Sequence, residues 1–106
     1  MSTTAKGRIT GGNGERFTAM FILPGSDRAA TFLGNFYSSV PSLTCDDATL
    51  TYNNPRDLTA ARQFEAQLGV NNVKFTMNNG VIIEGVLNTP ISPPISASGA
   101  GVWVIE

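Results

Sequence analysis

The 106-residue chain contains no histidine. Without an imidazole, Ser-His-Asp and Cys-His nucleophile systems, His-ligated zinc or haem, and histidine acid-base catalysis cannot be built from it. Cysteine is almost as scarce. The lone Cys45 cannot staple the chain internally, which suits a reducing compartment and an ordinary buried thiol. Charge is sparse too: 7 Lys+Arg and 8 Asp+Glu make up 14% of the residues, against about 25% in an average soluble domain. No stretch approaches the roughly 20 apolar residues of a membrane-spanning helix, and residues 1–6 lack an apolar signal core. The expectation is a protein made in the cytoplasm without a signal peptide and with no membrane partner.

Neutral hydrogen-bonding side chains take the place of charge. The chain holds 11 Thr, 8 Ser and 9 Asn, 28 of 106 positions, beside a hydrophobic fraction of 42%. A surface coated this way repels copies of itself weakly and favours self-association. Residues 1–40 carry a net +2 and residues 41–106 a net −3. That mild dipole could orient packing between copies, but it falls short of the basic stripe of a phosphate-binding protein, so nucleic acid is not the expected partner.

Residues 1–6 read as a flexible tail, followed by a single α+β domain over residues 7–106. Residues 7–10 face a second strand across Gly11-Gly12-Asn13-Gly14, a turn-forming cluster. In that second strand Phe17, Ala19, Phe21 and Leu23 alternate with Arg16, Thr18, Met20 and Ile22, giving one apolar and one mixed face before Pro24-Gly25. Behind a Ser26-Asp27 start, Ala29, Phe32, Leu33, Phe36, Tyr37 and Val40 share a helical stripe, with Gly34 and several strand formers competing against it. Residues 48–52 read as a short strand. A second helix is expected over 55–68, with Asn54 as N-cap, Pro55 in the first turn, Gly69 at its end, an inner face of Ala61, Phe64 and Leu68, and an outer Arg62–Glu65 pair. Residues 73–87 read as a hairpin around Asn78-Asn79-Gly80. A three-residue loop with Gly80 in the left-handed region pairs Met77 with Val81, Phe75 with Ile83 and Lys74 with Glu84, keeping one face apolar. The expected fold is therefore a mainly antiparallel sheet, a sandwich or small barrel, with one or two packed helices.

No catalytic constellation emerges. The glycine cluster at 11–14 lacks the Gly-Lys-Ser/Thr of a phosphate loop and the third spaced glycine of a dinucleotide fingerprint. Asp46 and Asp47 are adjacent, so on a regular strand they point apart and would need further oxygen ligands to hold a metal. Cys45 has no histidine to activate it. No catalytic, cofactor-binding or metal-ligating residue is assigned, and no cofactor is expected. Arg8 and Arg16 beside Phe17 and Phe21 could serve single-stranded nucleic acid, but the alternation sends both rings inward.

Residues 88–101 contain Pro90, Pro93, Pro94, three Ser and two Gly, with no strand or helix pattern, ahead of an apolar terminal strand at 102–105. A structureless segment of this length is unusual in a small domain. It reads either as a surface loop returning to its own sheet or as an assembly arm laid on a neighbouring copy, with Pro90, Ile91, Pro93, Pro94, Ile95, Val102, Trp103 and Val104 as its contacts. In this texture, with much Thr, Asn, Ser and Gly, few charges, hairpins and an extended arm, the chain resembles the small structural proteins of tailed bacteriophage virions. The resemblance implies a non-enzymatic capsid-decoration or tail/baseplate subunit whose partners are itself, as a homo-oligomer, and other particle proteins. The alternative is a small β-domain that binds single-stranded nucleic acid through Arg8 and Arg16.

Overall fold

The computed structural model describes residues 2–12, 14–25 and 28–105. Among these residues there are six strands, each antiparallel to its partners: β1 (Thr3–Gly11), β2 (Gly14–Ile22), β3 (Ala29–Val40), β4 (Leu43–Tyr52), β5 (Ala61–Met77) and β6 (Ile82–Ile105). The order is β3-β2-β1-β4-β6-β5, and β3 also pairs with β6. That last pairing closes a five-strand barrel, with β5 as an additional strand along β6. The expected α+β class is overturned. Among the described residues there is no α-helix, only one turn of 3-10 helix at Pro55–Asp57.

Both expected helices fail for one reason. An i, i+4 spacing satisfies a helix of period 3.6 and a strand of period 2 alike, so Phe32, Phe36 and Val40, or Phe64 and Leu68, fit either. The deciding positions follow strand parity. Leu33 and Tyr37, on the helical stripe, are 47% and 64% exposed, whereas Ala30, off it, is buried. Likewise Ala66 is buried and Ala61 exposed. The Ser26-Asp27 start lies outside the described residues. The N-terminal signal at Asn54 is real but local: its Oδ1 accepts from the Arg56 N–H at 3.0 Å, and its own N–H donates to Asp57 Oδ2 at 3.3 Å. After that turn the buried Leu58 anchors the connection, and the chain enters β5. Arg62 and Glu65 then project to opposite faces, so the expected outer pair does not form.

Residues 3–6, expected in a flexible tail, begin β1 and pair with β4. Residues 88–101, read as structureless, lie within β6. Straight, a 24-residue strand would run about 80 Å, more than twice the longest extent of the molecule, 37 Å. The β5–β6 hairpin therefore folds back on itself. Residues 82–86 of β6 pair with β4, whereas residues 99–105 pair with β3. Pro90, Pro93 and Pro94 fall between these two ladders, where a missing N–H costs no bond to either. On β5 the bend is at Gly69, whose φ of +113° and contact with the Ile91 carbonyl leave no place for a Cβ. The fold-back brings the Asn78 N–H to the Gln63 carbonyl at 3.0 Å. The hairpin tip itself follows expectation: Gly80 has φ +89°, the Met77 N–H donates to the Val81 carbonyl at 2.9 Å, and Phe75–Ile83 and Lys74–Glu84 stand opposite.

All six phenylalanines, at 17, 21, 32, 36, 64 and 75, are buried in one core. Phe17 lies at its centre, with ring centroids 4.8 Å from Phe75, 4.9 Å from Phe36 and 5.4 Å from Phe64. It fits because both strand neighbours present glycine, Gly11 on β1 and Gly34 on β3. A Cβ on Gly34 would land on the Phe17 ring. Gly7 opposite Phe21, and Gly99 between Phe36 and Phe64, repeat the device. Phe17→Ala is expected to lower the unfolding free energy by about 3–5 kcal/mol and Gly34→Ala by about 1–3 kcal/mol. The outward-facing Thr18→Ala should change it by less than about 0.5 kcal/mol. Urea titration measures all three, and a Gly34→Ala protein as stable as the parent would contradict this packing.

Candidate interaction surface

Inward phenylalanines fix which side chains point out. On β2 the alternates of Phe17, Ala19 and Phe21 are Thr18, Met20 and Ile22, and all three are exposed. Pairing then sets them beside the outward residues of β3 and β6. Met20 is opposite Thr31, which faces Val104; Thr18 is opposite Leu33, which faces Val102. Met20 and Ile22 are 36% and 56% exposed, and Leu33, Val102 and Val104 lie between 42% and 47%. Rows of one face are about 4.8 Å apart across strands and about 7 Å along them, so these five side chains cluster as an apolar strip over three strands, interleaved with Thr18 and Thr31. Single exposed apolar residues are common, but a contiguous group marks a contact surface. At the β1 border of the strip, Lys6, Arg8 and Asp46 share a shallow depression with Met20 and Ile22.

The expected arm is divided by this geometry. Val102 and Val104 lie in the strip, whereas Trp103 is buried against Phe32, with centroids 5.0 Å apart. Ile91 is buried and Ile95 half-buried, both facing the core, while Pro90, Pro93 and Pro94 are exposed at the bend. The segment is thus part of its own sheet. Among the described residues, the Trp103 indole N–H and Arg62 Nε are buried without a hydrogen-bond partner.

Arg8 and Arg16 are both exposed, but Phe17 and Phe21 are interior, as the alternation requires. Arg8 pairs across β2 with Met20 and Arg16 with Asn35, so the two guanidinium groups stand at different rows. Asp46 and Asp47 occupy a bulge: Gly7 pairs with Ala48 and Ile9 with Cys45, leaving two β4 residues against Arg8 alone. The bulge lets Cys45 and Ala48 both face inward and both aspartates face out. Asp46 is tied to the β6 bend, accepting from Asn88 Nδ2 at 2.9 Å while its N–H donates to Asn88 Oδ1 at 3.2 Å. Among the described residues no group of three or more His, Cys, Asp or Glu is placed to hold a metal ion. No helix among them is long and apolar enough to cross a membrane.

Sequence reading missed the strip as a unit. Its signal is the mixed outer parity of β2, where Met20 and Ile22 stand out; Leu33 also fits the helical stripe, which conceals its outward place. Comparison with known protein families, curated proteins and solved structures finds no match.

Burial, and secondarily the Asp46 charge, push the Cys45 thiol up from 9.0 to about 11. The unfolded chain therefore loses this proton at lower pH than the native state does. It follows that the thiol's contribution to stability is complete below about pH 9 and is lost as pH rises toward 11. Denaturation midpoints across this range should fall less steeply for Cys45→Val than for the parent. An identical pH slope in both proteins would contradict the shifted thiol.

Proposed function

We propose that this protein is a non-enzymatic structural subunit that self-associates through the outer face of β2, β3 and β6. The observation that carries the reading is the exposed strip of Met20, Ile22, Leu33, Val102 and Val104. Its chosen occupant is a second copy of the chain. The border of the strip carries Lys6 and Arg8 together with Asp46, and a border holding both signs is self-complementary across a two-fold axis. Sparse surface charge lowers the repulsion between copies. A particle component, such as a capsid-decoration or tail/baseplate subunit incorporated into a virion, is the setting that fits this texture. Arg8 shares its depression with Lys6 and the opposing Asp46, Arg16 stands at another row, and the chain's net charge is −1, which gives the nucleic-acid reading less support.

Removing residues 89–106 would not test the reading, because it deletes the strand that closes the barrel. Point changes in the strip do. Sedimentation velocity at micromolar concentration is expected to show a defined oligomer, and Leu33→Lys combined with Val102→Lys should convert it to monomer. The doubly substituted protein should keep its strand circular dichroism, since both positions face solvent. A parent protein that sediments as a monomer and joins no larger assembly would sink the proposal. So would salt-sensitive oligonucleotide binding abolished by Arg8→Ala and Arg16→Ala.

A further inference from the structure

A second surface lies on the same sheet, beyond the apolar strip. Phe36 pairs with Gly99 and Gly99 with Phe64, all buried; the next row, Tyr37, Ser98 and Glu65, therefore faces outward. Two adjoining hollows of about 360 and 430 Å³ share these three residues. The first reaches Gln63, Thr76 and Asn78, where the two legs of β5 meet, and the second reaches Gln67 and Ser96. Both hollows are open shelves rather than enclosed cavities, a shape that admits a ligand lying along the surface. Together they form a groove extended along the strands.

The chemistry of the lining selects its ligand. Tyr37 is 64% exposed, the largest exposure among the exposed large apolar side chains. Its ring offers a flat apolar face with a polar tip. Around it stand carboxamides, hydroxyls and one carboxylate, and among the described residues none of the side chains of Gln63, Glu65, Gln67, Ser96 and Ser98 is engaged in a hydrogen bond within the protein. Among the described residues, Glu65 is the only charged one in either hollow. A phosphate-bearing ligand would meet a negative charge and no cation. An apolar ligand would strip water from amides and hydroxyls without replacing their hydrogen bonds. A pyranose satisfies both demands, since its C–H face packs on an aromatic ring while its hydroxyls donate to a carboxylate and exchange bonds with amides. Glu65 and Ser98 are direct partners on neighbouring strands, which fixes the spacing of their backbones across the groove.

We infer that the Tyr37–Glu65–Ser98 groove binds a neutral oligosaccharide, with the Tyr37 ring stacked on one sugar and Glu65 accepting from its hydroxyls. The inference stands apart from self-association, because Leu33 and Val102 do not line the groove.

The test is a titration of ¹⁵N-labelled protein with three neutral hexasaccharides, a β-linked glucan, an α-linked glucan and an N-acetylglucosamine oligomer, to about 10 mM. At least one is expected to shift the amides of Tyr37, Glu65 and Ser98 saturably. Tyr37→Ala should weaken that binding tenfold or more and Glu65→Gln at least threefold, with both variants keeping the parent's dispersed spectrum. The Leu33→Lys, Val102→Lys protein should bind the sugar as the parent does, which separates this result from the oligomer reading. The inference is overturned if none of the three sugars produces a saturable shift at these residues. It is equally overturned if binding survives Tyr37→Ala, or if a short oligothymidylate binds the groove in their place.

Discussion

Four of the six phenylalanine rings that share one interior, Phe17, Phe21, Phe36 and Phe64, stand directly opposite a glycine on a neighbouring strand. Phe17 is the clearest instance, with Gly11 on one side and Gly34 on the other. A glycine inside a strand costs about 0.5–1 kcal/mol relative to alanine, while burying a phenylalanine yields about 1.5–3 kcal/mol. The exchange therefore favours the pair, and further gains come from ring-to-ring contacts such as the edge-on approach of Phe17 and Phe64 at 5.4 Å. Small barrels have little interior volume. Here alternation of the largest and smallest residues across neighbouring strands fills it.

The same interlock sets the exterior. Once Phe17, Phe32, Phe36 and Phe64 point inward, parity sends Met20, Leu33, Tyr37 and Glu65 outward, whatever their own preference for water. Strand pairing then sorts these residues by row, apolar toward Met20 and Val104, polar toward Tyr37 and Glu65. One sheet face thus presents two neighbouring surfaces of different chemistry. The apolar strip suits a second copy of the chain, and the polar groove suits a hydroxyl-rich ligand. The fold-back of β5 and β6 completes the groove by bringing Thr76 and Asn78 beside Gln63.

Local signals were legible where a single period or turn decided the matter. The alternation of Phe17 to Leu23, the register around Asn78-Asn79-Gly80, and the turn at Asn54 each appear as residue chemistry demands. Ambiguity entered where apolar residues recur every four positions. Phe32 and Phe36 or Phe64 and Leu68 obey both periods, so only residues off that spacing, Leu33, Ala61 and Ala66, discriminate, while the Ser26-Asp27 and Asn54-Pro55 signals point to helix starts. Of the expected arm, Val102 and Val104 are at the surface, whereas Trp103 and Ile91 are not. No local rule reports that the Pro-rich bend lies between two separate ladders.

By itself the sequence determined the negative space of the function and the material of the fold. Absent histidine removes whole classes of catalysis, scarce charge leaves a neutral coat, and alternation supplies a face of rings. Those are properties of residue types and near neighbours along the chain. Only tertiary structure decided that β3 meets β6, that Cys45 and Ala48 both turn inward through a bulge at Asp46 and Asp47, and that Tyr37 stands beside Glu65. These depend on pairings between residues tens of positions apart. Such contacts are selected by the closure of the whole barrel around its rings, a constraint that no window of the sequence contains.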